Sequence, residues 1–341
     1  MNVRAKAVAG LWWLLLAVSG AVFAQARGPA PEATWPAVLE AARKEGSVVL
    51  YSQQVPPVLA RIQADFAAQY PAIKLEIQRL SGQGVISKLD QERLAAADGG
   101  DVAITVEIPW LEERAKEGSL RKPAGPSSRG WPARYMVMDT FPIVGLEPVV
   151  MAYNTNLVKG PVTGYQDLLR PEFKGRLGIT SVQAIPQLAW YEWLEKTQGA
   201  DFLAKLAAQA PRVYTGSVPS TQAAASGEIA AAAFSVYTVV TPLAEKGAPI
   251  KVVIPNPALG FSYYATIVAN SRRPNASQVL LDYLMSPRGQ SAVHSRGESA
   301  SPLPNIQGGA DASTIQALDP RAYTANSVND YRKKWDAIFT R

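Results

Sequence analysis

From Gly46 onward, short apolar runs alternate with segments of helical period. SVVLYS predicts a strand. PVLARIQADFAAQY then spaces Val58, Ile62 and Phe66 four apart, one face of a helix. IKLEIQRL alternates Ile73, Leu75 and Ile77 and predicts a second strand, GVISKLDQERLAAA a helix, DVAITVEI a strand and WLEERAKEGSL a helix. KPAGPSSRGWP is rich in Pro, Gly and Ser and reads as a connection. Beyond it VVMAYN opens a second series, with RLGITS, RVYTGS, IAAAAFSVY and IKVVIPN as strands. IPQLAWYEWLEKTQG, VPSTQAAASG and TVVTPLAEKG are its helices. A last section holds the strand YYATIVAN and the helices ASQVLLDYLMS and PRGQSAVHSRG. SVNDYRKKWDAIF closes it, with Val328, Tyr331, Trp335 and Ile338 on one stripe that predicts a helix covering an earlier sheet. The pattern is that of an α/β protein in two halves, each a mainly parallel sheet flanked by helices.

In open α/β sheets, ligands bind at the carboxyl ends of the strands. The turns at those ends are small and polar here. In the first half they are Tyr51-Ser52-Gln53, Ser81-Gly82-Gln83-Gly84 and Glu107. In the second they are Thr180-Ser181, Ser217 with Ser220-Thr221, and Ser235 through Thr238. Ser and Thr at such places are ordinary helix caps when taken singly. Six such turns split between two sheets predict two polar rims facing one another, with helix N-termini that favour anionic groups.

Composition bounds the class. The 341 residues suffice for two domains, and 48% hydrophobic with 18% charged residues is globular. Residues 1–24 differ: Arg4 and Lys6, then LWWLLLAVSGAV, then Val22-Phe23-Ala24, which predicts a secretory signal cleaved at Ala24/Gln25. Cysteine is absent, so neither a disulfide nor a lipid-bearing thiol is available. The net charge of +6 falls to about +4 without Arg4 and Lys6. No Lys/Arg block resembles a nucleic-acid footprint.

VVLYSQQ, VVMAYNTNLV, DLLRPEFKGRLGI, SGEIAAAAFSVYTVVTPLAEKG and LLDYLMSPRGQSAVHSRGESASPL, taken in order, resemble the periplasmic solute-binding proteins of ABC transporters. Within these, the chain is most similar to the type II class that contains the ferric-binding proteins. The resemblance implies a two-lobed fold with two hinge crossings. The expected division is a signal at 1–24, a first lobe at 25–145, a second lobe at 146–265, and a return to the first lobe at 266–341. The strand VVMAYN would leave the first lobe, Asn154 to Asn156 would turn into the second, and GFSYYATIVA would return.

Ferric binders hold iron with a histidine after the first strand, a glutamate after the third, and two adjacent tyrosines. By that likeness the positions here are Val55, Glu107, Tyr237 and Thr238, so two ligands are missing. One carboxylate with one phenolate is a poor ferric set. Tyr263 and Tyr264 in the return crossing could substitute, so ferric iron with a synergistic anion stays the alternative.

Enzyme chemistry has little footing. His294 is the sole histidine, set in what reads as a surface helix, and no G-x-S-x-G elbow occurs. Ser81-Gly82-Gln83-Gly84 lacks the Gly-Lys-Ser/Thr of a P-loop, and Glu112-Glu113 reads as solvated charge. The expectation is a monomeric periplasmic binding protein, without cofactor, that takes a small anionic or zwitterionic solute and delivers it to an ABC permease. Its expected ligand-binding residues are Ser52, Gln53, Ser81, Gly82, Glu107, Thr180, Ser181, Ser217, Ser235, Tyr237 and Tyr263. If iron binds, Glu107 and Tyr237 are the expected ligands.

Overall fold

The computed structural model describes residues 34–340, so the expected signal and its Ala24/Gln25 boundary lie outside the described residues. The first series runs α1 (Trp35–Glu45), β1 (Ser47–Ser52), α2 (Pro56–Gln69), β2 (Lys74–Arg79), α3 (Gly82–Leu94), β3 (Val102–Thr105) and α4 (Ile108–Lys116). Short pieces follow: β4 (Leu120–Arg121), α5 (Pro126–Arg129) and β5 (Met136–Val137). The long strand β6 (Phe141–Asn154) leads to β7 (Leu177–Thr180), α6 (Ile185–Gln198), α7 (Phe202–Ala208), β8 (Arg212–Tyr214), α8 (Ser217–Ser226), β9 (Ala231–Val236), α9 (Tyr237–Glu245) and β10 (Ile250–Val253). The chain returns through β11 (Ala258–Val268) to α10 (Pro274–Met285), α11 (Pro287–His294), β12 (Ile315–Ala317) and α12 (Ala325–Phe339).

Several helix starts follow from local chemistry. A proline stands in the first turn of α2, α4, α6, α10 and α11, where its missing N–H has no intrahelical partner to lose. The spacing of Val58, Ile62 and Phe66 does face the core, with Leu59 beside them. Each such burial contributes roughly 1.5–3 kcal/mol.

Strands β2, β1 and β3 pair in parallel, as do β9, β7 and β8. Each half thus has its own parallel set, as the sequence suggested. The two sets join edge to edge along the path β2-β1-β3-β11-β6-β9-β7-β8. The crossing strands β6 and β11 make antiparallel pairs with each other and with their outer neighbours. All fourteen residues of β6 are buried, because both of its edges and both faces are covered. It pairs with β11 through Pro148 and with β9 from Val149, so the passage between halves falls at that bond. Asn154 ends the strand and fixes the polar turn that follows. Its side-chain amide donates to the Ala224 carbonyl at 2.8 Å, and its side-chain oxygen accepts from the Asn156 N–H at 2.9 Å.

One core lies under the first series and β11, another under the second series. The terminal helix departs from expectation here. The sequence places it with residues 266–341 in the first lobe, yet Tyr331 and Trp335 are buried in the second core. Aromatic packing explains the choice. Tyr165, Trp190, Trp193, Tyr191 and Phe234 form a run of tilted and edge-on rings. Trp335 and Phe339 extend that run through Tyr191. Arg332 then donates to the Val182 and Gln183 carbonyls, and the Tyr331 hydroxyl donates to Glu195.

Candidate functional site

Because β1, β2 and β3 are parallel and in register at Ser52, Arg79 and Ile104, their carboxyl ends lie side by side. Gln53, Gly82 and Glu107 come together there. The Thr105 hydroxyl and the Val106 N–H each donate to the Gln53 side-chain oxygen at 3.3 Å, which fixes that amide. A Cβ placed on Gly82 would lie 2.6 Å from Glu107 Oε1 and 2.7 Å from Gln53 Oε1. Only a residue without a side chain lets both oxygens close over the start of α3. Glu107 is half-buried, and no protein donor among the described residues reaches its carboxylate. Two other expected residues of this rim are committed elsewhere. The buried Ser52 hydroxyl accepts from Gln54 N–H at 3.1 Å, and exposed Ser81 caps α3 by accepting from Gly84 N–H at 3.0 Å.

The second rim is less unified. Thr180 Oγ1 and Ser181 Oγ are buried without hydrogen-bond partners. Ser181 also borders a recess shared with Gln183, Arg332 and Trp335, beside α12. The Ser235 hydroxyl is paired with that of Thr221 at 2.6 Å, both fully buried. Ser217 opens α8, half-buried. Tyr237 opens α9, and its hydroxyl lies 4.0 Å from where a Cβ on Gly297 would stand.

Tyr263 is buried, and its hydroxyl donates to Glu147 Oε2 at 2.6 Å. Glu147 was not anticipated. It sits one residue before the passage between halves, beside the Thr238 hydroxyl, and its Oε1 has no partner. Burial pushes this carboxyl up from its usual range. The Tyr263 and Thr238 hydroxyls oppose that shift, and Glu298 adds to it. Burial and the same carboxylate hold the Tyr263 phenol well above its usual value, so it acts as a donor and not as a phenolate. A single acid inside the apolar run Phe141–Asn154 is the sequence signal that could have marked it.

Between the halves lies a chamber of about 650 Å³. Val106, Glu107 and Pro109 line it from the first half, Ile185 and Pro186 from the start of α6, and Phe261, Ser262 and Tyr264 from β11. Leu318, Pro320, Arg321 and Tyr323 complete it from the C-terminal segment. Of the expected site residues only Glu107 borders it. The Ser262 Oγ is buried and without a hydrogen bond. Arg321 is held on both sides, donating to both Asp319 oxygens at 2.7 and 2.8 Å and to Glu112 at 2.6 Å. Glu112 is therefore an ion-pair partner, not solvated charge.

His294 is likewise not on a surface. It is fully buried, with Nδ1 at 2.6 Å from Ser299 Oγ and Nε2 at 2.9 Å from the Val144 carbonyl oxygen. Burial lowers its pKa from 6.5 to about 4. Among the described residues no group of three His, Asp or Glu is placed to hold a metal ion. Of the oxygens expected for ferric iron, that of Tyr263 is already committed to Glu147. No helix among the described residues is long and apolar enough to cross a membrane.

The family described as bacterial extracellular solute-binding protein matches residues 48–297. A search of curated proteins by sequence gave no significant match. Among solved structures, the substrate-binding protein of an ABC transporter from Agrobacterium tumefaciens is similar with TM-score 0.66 at 14% identity. The match covers 88% of this chain and 97% of that one. Iron-bound HitA from Pseudomonas aeruginosa is similar with TM-score 0.58 at 19% identity, over 86% and 98% of the two chains. AfuA from Actinobacillus pleuropneumoniae, with fructose-6-phosphate bound, gives TM-score 0.58 at 16% identity, over 87% and 99%. These likenesses identify the architecture as the type II periplasmic binding fold.

Proposed function

Because the chain belongs to the bacterial extracellular solute-binding proteins, we propose that it captures a small organic solute between its halves and passes it to the permease of an ABC importer. The observation that carries this reading is Glu107, a half-buried carboxylate without a donor among the described residues, at the border of a chamber between the halves. Its volume falls within the ~300–1,000 Å³ usual for small-molecule sites. β6 and β11 are the only strands that pair across the halves in the described sheet, so they are the natural hinge. The unpartnered Thr180 and Ser181 hydroxyls do not line the chamber but stand shortly before Ile185 and Pro186, which do, and would suit an anionic end of the same solute once the halves close. With Glu107 on the first rim, a zwitterion fits better than a simple anion, which that carboxylate would repel.

Capture without turnover fits the side chains present, since the one histidine has both ring nitrogens occupied. Export to the periplasm and action as a monomer complete the reading.

The test is mass spectrometry of small molecules released by denaturing the exported protein, for wild type and for Glu107→Gln. An intact organic solute is expected in stoichiometric amount from wild type and depleted from the variant. Conversion of the recovered solute on return to fresh protein, or equal amounts from both proteins, would overturn the reading.

A further inference from the structure

The lining of the chamber says more about the solute than the rims do. Three aromatic rings, those of Phe261, Tyr264 and Tyr323, enclose it together with Ile185, Leu318 and prolines. The Tyr323 hydroxyl is turned away to donate to Glu192 at 2.9 Å, so its ring rather than its polar end is what the chamber receives. Apart from Glu107 and Ser262 the lining offers few free hydrogen-bonding groups, so a solute with many hydroxyls would leave several without protein partners.

The two charged residues of the lining differ in how they are engaged. Arg321 lines the chamber, but its guanidinium is taken up by Asp319 on one side and Glu112 on the other. Glu107 is the one carboxylate in the lining, and no protein donor among the described residues reaches it. With the Arg321 charge neutralised by its two partners, the unpaired Glu107 carboxylate attracts positive charge and disfavours negative charge. Aromatic faces near a carboxylate also stabilise a cation by their quadrupole.

We propose that the solute is an organic amine with an apolar, preferably aromatic, body. The body fills the chamber between Phe261, Tyr264 and Tyr323, and the ammonium group is held by Glu107. The otherwise unpartnered Ser262 hydroxyl, buried in the chamber wall, supplies one further hydrogen bond. A zwitterion is admitted when its carboxylate points out of the chamber, away from Glu107, and an anion of the same shape is not. This rests on the reading of the space between the halves as the solute site and narrows it to one chemical class.

Titration calorimetry at pH 7 with four probes tests it: phenethylamine, the matched anion phenylacetate, the dication putrescine without an apolar body, and inorganic phosphate. Phenethylamine is expected to bind, and phenylacetate and phosphate are not. Putrescine should bind at least tenfold more weakly than phenethylamine. Glu107→Gln should weaken phenethylamine about ten- to a hundredfold, as loss of a charged hydrogen bond does. Phe261→Ala should weaken it while leaving putrescine unchanged, with circular dichroism confirming that both variants fold. Binding of phenylacetate or phosphate equal to that of the amine, amine binding indifferent to Glu107→Gln, or no binding by any probe would overturn the assignment. Recovery of an intact anionic or sugar-phosphate solute from the exported protein would overturn this class while leaving the capture reading standing. If no solute is recovered and no probe binds, both fall.

Discussion

Glu147 and Gly82 show how single residues shape the space between the halves. Glu147 has a carboxyl raised by burial, with only hydroxyls for company and no cation in contact. An acid with a raised folded pKa binds protons more readily folded than unfolded, so stability falls as pH rises through that folded value. Glu147→Gln removes the titration while keeping an acceptor for the Tyr263 hydroxyl. It should therefore gain more stability over wild type at pH 8 than at pH 5 in urea unfolding. An equal gain at both would show that the carboxyl is not raised. Gly82→Ala works differently. Its new Cβ would meet the movable ends of Glu107 and Gln53, so the fold should lose little, within ~1 kcal/mol. Solute retention should fall with the displaced carboxylate, and unchanged retention would mean that Glu107 does not touch the solute. From sequence alone Gln53, Gly82 and Glu107 were legible because they stand just past predicted strand ends. Ser52 and Ser81 stand there too, but a hydroxyl that caps its own turn reads the same as one that faces a ligand.

At the scale of elements, β6 and α12 are the informative pieces. The Val144 carbonyl of β6 is tied to His294 at the end of α11, and a Cβ on Gly145 would lie 2.8 Å from the imidazole Cε1. The neutral ring is thus packed onto the crossing strand. Its pKa is lowered from 6.5 to about 4, so the folded protein binds fewer protons than the unfolded one between those values. Stability is then full above about pH 6.5 and declines as pH falls toward 4, by about 3 kcal/mol for a shift of this size. As the sole histidine, it gives one set of imidazole resonances in untagged protein. Those resonances should not move between pH 8 and 5.5, and a midpoint near 6.5 would contradict the burial described. For α12, Trp335→Ala should cost about 3–5 kcal/mol, as for other buried tryptophans. The helix was legible from its stripe, whereas its destination was not. That depended on aromatic partners more than a hundred residues earlier in α6, which no local pattern reveals.

For the whole molecule, the alternation of strands and helices was enough to expect an α/β protein in two halves. It could not show that β6 and β11 fuse the two sheets, because register between distant strands leaves no mark in the sequence of either. The chamber was hidden for the same reason: its walls come from segments near residues 106, 185, 261 and 320. That geometry also bears on iron as cargo. With Tyr263 spent on Glu147, and Val55 and Thr238 at two of the positions expected for iron ligands, ferric citrate should raise no tyrosinate charge-transfer band. A coloured stoichiometric complex would mean that the oxygens regroup on binding.

On this reading the halves enclose a solute by moving about β6 and β11. Small-angle X-ray scattering tests it most directly, using protein stripped by unfolding and refolding and then saturated with the compound recovered from the exported form. The radius of gyration should decrease while the forward-scattering mass stays that of one chain. An unchanged radius at saturation would contradict the account.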